Sequence, residues 1–193
     1  MYAFISGQIV EKNPAFVVVD NQGIGYHINI TLNTFADIGE NDRIKLYTYL
    51  QVREDAHVLY GFSTEQERSL FLMLLSVSGV GCNTARLILS SLSVTETCQA
   101  ISNNDVKTIQ NVKGIGLKTA QRIIVDLKDK VKKQDMDTEI VSGSYNTIKE
   151  ESLSALMVLG FSKAAADKVL DKLLKQNPDA SVEQLIKEAL KQL

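Results

Sequence analysis

Hydrophobic positions change their spacing twice along this chain of 193 residues. Up to about residue 62 they fall in short runs rich in Val, Ile, Tyr and Phe, broken by turn residues. That pattern predicts strands near Tyr2–Glu11, Ala15–Asp20, Gly25–Ile30, Arg43–Val52 and His57–Phe62. The turns are Asn13-Pro14, Asn21-Gln22-Gly23 and Gly39-Glu40-Asn41-Asp42. Thr31–Ile38 reads as a short helix between the third and fourth strands. Five short strands with one helical insertion predict a small closed barrel of the OB type, with an open meander sheet as the alternative.

From residue 63 the apolar positions recur at helical spacing. Amphipathic stretches cover 64–77, 83–92, 94–102, 104–110 and 117–132. Ser63-x-x-Gln66 and Ser93-x-x-Glu96 have the form of capping boxes. Residues 134–146 lose the periodicity and carry Ser, Gly and acidic side chains, as a flexible linker does. Residues 147–193 read as three short helices. Thr147-x-x-Glu150 and Ser181-x-x-Gln184 cap the first and third, Leu159-Gly160-Phe161-Ser162 ends one helix and starts the next, and Pro178 precedes the last. So short a segment buries only a small core, so it is a candidate for docking on a partner through residual apolar surface. A purely structural three-helix cap is the alternative. The expectation is a multidomain α+β chain: 1–62 barrel, 63–133 helical, 134–146 linker, 147–193 three-helix domain.

Composition changes this picture little. The longest apolar run, Leu70–Leu75, is too short to span a membrane, and Met1–Gly7 lacks the basic start and apolar stretch of a signal peptide. A cytoplasmic protein is the expectation. Cys82 and Cys98 form no CxxC and read as free thiols, so neither a metal site nor a cofactor is expected. Charge changes it more. The net charge is −2, but residues 63–133 carry 10 basic and 6 acidic side chains, while the flanking segments are each −3. The helical segment is the basic one.

That segment contains an internal repeat. Ser78-Gly79-Val80-Gly81-Cys82-Asn83-Thr84-Ala85 and Lys113-Gly114-Ile115-Gly116-Leu117-Lys118-Thr119-Ala120 align at an offset of 35 residues. Val77, Ile88 and Leu92 recur as Val112, Ile123 and Leu127. Each pair of glycines lets backbone N–H groups approach a partner without Cβ obstruction and opens a helix whose first amides are unpaired. That is an anion site suited to phosphate. Lys118 and Arg122 lie four apart on the second helix, on one face beside Gly114 and Gly116, and Lys113 adds charge at the entrance. The first hairpin has Asn83 in place of Lys118 and depends on its amides and Arg86. Such contacts read the DNA backbone and not the bases. A dinucleotide motif does not fit, because the third glycine and the leading strand are missing, and there is no P-loop.

Val52-Arg53-Glu54-Asp55-Ala56-His57 falls between two expected strands. Two adjacent carboxylates at a hairpin tip are ordinarily a solvated turn. Beside a phosphate-binding module they would repel DNA, by about 3 kcal/mol at a separation of about 5 Å and an effective dielectric of about 20.

Together these runs resemble the RuvA family, the Holliday-junction-binding subunits of the bacterial branch-migration complex. Val52–Ala56 with Leu59-Tyr60-Gly61-Phe62 looks like the family's acidic pin. Gln66-Glu67-Arg68 with Leu70-Phe71, both glycine hairpins through Lys128, and Ser154-Ala155-Leu156 with Leu159-Gly160-Phe161 match it in order. The resemblance implies an OB-fold, a tandem helix-hairpin-helix domain and a C-terminal three-helix domain of the UBA-like kind. It also implies a homotetramer, or two tetramers clasping the DNA, that holds a four-way junction open without sequence specificity. Partners would be the hexameric ATPase RuvB and the resolvase RuvC, and the chain itself would be non-catalytic. By the same resemblance Glu54 and Asp55 form the pin, Gly79, Gly81, Gly114, Gly116, Lys118 and Arg122 contact phosphate, and Leu156, Leu159, Gly160 and Phe161 belong to the RuvB-facing motif. The family usually has Pro-Lys after the first hairpin, where this chain has Cys82-Asn83. It often has Pro before the second hairpin and Lys after it, where this chain has Lys113 and Leu117. The rival readings are a DNA-repair enzyme carrying the same hairpins and a plain adaptor. Against the first, His27 and His57 sit in no catalytic or metal-ligand pattern; against the second stands the basic middle segment.

Overall fold

The structure, a computed structural model, describes residues 2–139, 144–177 and 180–193. The chain divides into two compact units, Met1–Lys132 and Lys133–Leu193.

The first unit begins with strands β1 (Phe4–Asn13), β2 (Phe16–Asn21), β3 (Ile24–Ile30), β4 (Arg43–Val52) and β5 (His57–Phe62). They close into a barrel in the order β1-β2-β3-β5-β4, which is the OB arrangement and excludes the open meander. Neighbours are antiparallel except β3 and β5, which run parallel with Ile28 opposite Leu59. Closure depends on β1, which pairs with β2 through Gln8–Asn13 and with β4 through Phe4–Gln8. A register shift between Ile9 and Glu11 bends the strand. Gly7 sits at this crossing, where a Cβ would overlap the Asp20 carbonyl. Ile5, Val17, Val19, Ile28, Ile30 and Leu46 fill the interior, closed at one end by Ile38 of helix α1 (Leu32–Ile38).

Helices α2 (Glu65–Leu75), α3 (Cys82–Ser91), α4 (Val94–Ser102), α5 (Val106–Gln110) and α6 (Leu117–Glu139) follow. Their core includes Leu70, Phe71, Leu74, Ile88, Ile101, Ile109 and Ile123, and it takes in Tyr60 and Phe62 of β5. The Phe62 and Phe71 rings lie 4.8 Å apart. Each such buried aromatic contributes roughly 1.5–3 kcal/mol. The expected boundary at residue 62 thus separates two modules packed as one unit.

A carboxylate helps hold the modules together. Glu67 occupies the same face of α2 as Leu70, Phe71 and Leu74, all buried. It accepts hydrogen bonds from the Thr31 hydroxyl at 2.5 Å and the Thr34 hydroxyl at 2.6 Å. Burial pushes its pKa up, against the lowering effect of those two hydroxyls. The α2 cap differs from expectation accordingly: Thr64, not Ser63, is the N-cap and accepts from the Glu67 amide. Ser63 instead donates to Asp37. The Ser93–Glu96 capping box forms as expected, and the Ser93 backbone amide and hydroxyl hold the Glu96 pKa down.

The second unit contains α7 (Ser144–Val158), α8 (Lys163–Gln176) and α9 (Val182–Ala189) around Leu156, Ala166, Leu170, Leu173 and Leu185. Lys149 pairs with Asp167 and Asp171, tying α7 to α8. Gly160 has φ +99, and the Gly160 and Phe161 amides close back on the carbonyls of Met157 and Leu156. Ser162 then caps α8, and Ser181 and Gln184 form the capping box of α9. Two expectations shift. Helix α7 begins at Ser144, so Thr147 lies inside it and is not its cap. Of the expected linker, 134–139 continue α6 and 144–146 open α7, while 140–143 lie outside the described residues, as does Pro178.

Candidate functional site

The two hairpins fold alike. Gly79 has φ +91 and Gly114 has φ +89, backbone that side chains other than hydrogen strain. The Val80 amide donates to the Val77 carbonyl at 3.1 Å, and the Ile115 amide donates to the Val112 carbonyl at 3.1 Å. Val77, Val80, Val112 and Ile115 are buried and pin each loop into the core. The exposed side of each loop is therefore its glycine backbone. Gly81 and Gly116 present a different case. A Cβ on either would meet no described atom within 4 Å, and Gly81 is extended at φ −93 and ψ 173. Nothing described inside the chain requires glycine there; a partner approaching from outside would. Helix α3 also lacks a side-chain cap, so its first amides stay open.

The cations around the hairpins are unequal. Lys113 and Lys118 are exposed and, among the described residues, make no ion pair. Arg122 donates from Nη1 to the Ser78 carbonyl at 3.1 Å, and Lys130 donates to the Ser76 hydroxyl at 3.1 Å. Helix α6 of the second repeat is thus strapped to the first hairpin, which fixes the spacing of the two loops. Arg86 is anchored on the barrel: its Nη1 donates to the Ala15 carbonyl at 3.1 Å and to Asn29 Oδ1 at 3.4 Å. The sequence reading of Arg122 and Arg86 as phosphate contacts missed these cross-links, because both partners lie more than 40 residues away.

The β4–β5 turn projects as a tip. Val52 pairs with His57, and the Arg53 amide donates to the Ala56 carbonyl at 2.9 Å. Glu54 and Asp55 are exposed. Asp55 pairs with Arg53 at 3.0 Å, a solvent-exposed contact contributing about 0–1 kcal/mol. The tip therefore carries a formal net charge of −1 from Arg53, Glu54 and Asp55. Below it, Tyr60 links Gln51 of the barrel to Asn83 of the first hairpin.

In the second unit, Leu156 is fully buried and belongs to the core, so it cannot contact a partner. Phe161 packs against that core, and Gly160 serves the helix end. Leu159 is 57% exposed and lines an apolar groove with Ala155, Val158 and Ile186. Val158, at 86% exposure, was not singled out from the sequence; it lies two residues after buried Leu156 and so on the opposite side of α7.

Residues 1–61 match the RuvA N terminal domain, 71–129 the SAM-like helix-hairpin-helix tandem, and 147–193 the RuvA C-terminal domain. The chain is 53% identical to a protein of Christiangramia forsetii over the whole of both chains. It is 50% identical to one of Cytophaga hutchinsonii over 99% of each, and 51% identical to one of Flavobacterium psychrophilum over the whole of both. All three are named Holliday junction branch migration complex subunit RuvA. The chain belongs to the RuvA family. Among the described residues no group of three or more His, Cys, Asp or Glu is placed to hold a metal ion, and no helix is long and apolar enough to cross a membrane. His27 stacks on Phe16 with ring centroids 4.4 Å apart.

Proposed function

We propose that this protein binds four-way DNA junctions without sequence specificity, as a tetramer, and recruits the RuvB ATPase for branch migration in recombination and repair. The observation that carries the reading is the pairing of two matched, open glycine hairpins with an acidic turn on one packed unit. The hairpins grip phosphates along an arm through amides, supported by Lys113 and Lys118. Glu54 and Asp55 repel phosphate and so favour a centre where strands diverge over continuous duplex. Fourfold symmetry would give each arm one subunit and bring four tips to the crossover. The chain is non-catalytic in this scheme, and RuvC acts on the assembled complex. The groove at Ala155, Val158, Leu159 and Ile186 is the docking face for RuvB.

The test is a gel shift with a four-way junction beside linear duplex of the same sequence. A clear junction preference is expected, and its absence sinks the reading; strand cleavage with a divalent metal would move the protein to an enzyme class. Glu54→Gln with Asp55→Asn is expected to relax the preference while leaving the fold intact, and unchanged selectivity would reduce the tip to an ordinary turn.

A further inference from the structure

A polar groove lies between the stem of the β4–β5 turn and the first hairpin. Gln51, Arg53 and Tyr60 form its barrel side, and Gly81, Asn83 and Thr84 form its helix side. Among the described residues no carboxylate lines it, although Glu54 and Asp55 lie next in the chain. The Tyr60 hydroxyl, on a ring only 4% exposed, sits 3.5 Å from both Gln51 Oε1 and Asn83 Oδ1. The phenol has one proton and satisfies one of these oxygens at a time, while each amide keeps an NH2 group able to donate. Burial and the Cys82 thiol push the Tyr60 pKa up, while Arg86 and Arg53 pull it down. Arg53 uses Nη2 on Asp55 and keeps its other N–H groups. The uncapped amides of α3 open at the same place.

We infer that this groove binds a phosphodiester of the strand that leaves the first hairpin toward the junction centre, with Arg53, Gln51 and Asn83 as donors. The inference rests on the junction reading and deepens it. The first repeat has Asn83 where the second has Lys118, and Arg86 is held on the barrel, so the helix brings little charge of its own. The barrel supplies it instead through Arg53. A wall of N–H donors that includes the Arg53 guanidinium and, among the described residues, no carboxylate suits the two unesterified oxygens of a phosphodiester. Arg53 then has two faces: one holds Asp55 at the tip, and the other receives the strand that the tip turns aside.

The experiment is a salt titration of binding to a labelled four-way junction, with linear duplex alongside and thermal melts to check the fold. Arg53→Gln is expected to weaken junction binding about tenfold, as loss of a charge-assisted hydrogen bond does. It should also flatten the log–log salt slope by about 0.9 per subunit bound. Asn83→Lys, at an exposed position, should steepen that slope by about 0.9 per subunit. In an Asp55→Asn background Arg53→Gln should have the same effect, since the lost contact is to DNA and not to the tip. An unchanged slope in either single variant, in a protein that still prefers the junction, overturns the groove site and leaves the junction reading standing. Disappearance of the Arg53→Gln effect in the Asp55→Asn background also overturns it. Absence of any junction preference in the unaltered protein overturns both.

Discussion

Gly81→Ser separates the stability of the first hairpin from its binding role, because the two are expected to move in opposite directions. Gly81 is the N-cap of α3, its backbone is extended, and a Cβ there meets open space. Serine fits that conformation and adds a hydroxyl able to accept from the amide of Asn83 or Thr84. The cap contributes a few tenths of a kcal/mol over glycine. Reduced freedom of the unfolded chain contributes about 0.4–1 kcal/mol more. The sum, roughly 0.5–1.5 kcal/mol, raises Tm by about 3–5 °C per kcal/mol for a unit of this size. The same hydroxyl occupies an amide that a phosphate would use, and its Cβ fills the approach. A lost hydrogen bond to a charged group costs about 1.5–3 kcal/mol, so junction affinity should fall between about tenfold and hundredfold. Differential scanning calorimetry and fluorescence anisotropy on one preparation read both quantities. A lower Tm refutes the backbone argument, and undiminished affinity refutes the assignment of the amides to phosphate. Gly79→Ser supplies the contrast: at φ +91 it should cost about 1–2 kcal/mol and lower Tm.

Other expectations follow from single contacts. Glu67→Ala strands the Thr31 and Thr34 hydroxyls, both fully buried, and should destabilise the first unit by about 1–3 kcal/mol for each, read by urea melts. Because the folded pKa of Glu67 is raised, its contribution is fully present below the unfolded value of 4.5 and is lost as pH rises through the folded value; the Tm difference between wild type and Glu67→Gln should therefore shift against the wild type as pH rises through that window, and a pH-independent difference would count against the assignment. Lys118→Ala should flatten the salt slope of DNA binding by about 0.9 per subunit without changing Tm, whereas Arg122→Ala should also lower Tm through loss of its bond to Ser78. Leu159→Asp should abolish RuvB pull-down and keep the second unit folded, while Leu156→Asp should unfold it, as circular dichroism would show.

Local patterns were legible wherever one residue's role depends on its neighbours in sequence. The 35-residue offset between the glycine hairpins was visible directly, and both loops fold alike because Val77, Val80, Val112 and Ile115 anchor them in the same way. The caps at Ser93, Ser162 and Ser181 were readable for the same reason. The α2 cap was misplaced by one because Ser63 is drawn to Asp37, 26 residues earlier, and the Glu67 carboxylate serves Thr31 and Thr34, more than 30 residues earlier. A sign of this was present, since Glu67 occupies the apolar stripe of its helix at the spacing of Leu70, Phe71 and Leu74. Leu156 and Leu159 belong to one motif, but their burial differs because α7 ends at Val158: Leu156 lies on the covered face of the helix and Leu159 in the turn beyond it.

The sequence by itself determined the order of strand and helix, the two glycine hairpins and the basic middle segment, since each follows from backbone conformational preference or from side-chain type. Tertiary structure decided which charges remain available. Folding brings Arg86 to the barrel, Arg122 to the first hairpin, Asp55 to Arg53, and Tyr60 between Gln51 and Asn83. These outcomes depend on distances between residues remote in the chain. Hydrogen bonds and ion pairs act over a few ångströms, and only closure of the barrel and its shared core with the helices brings such residues within that reach.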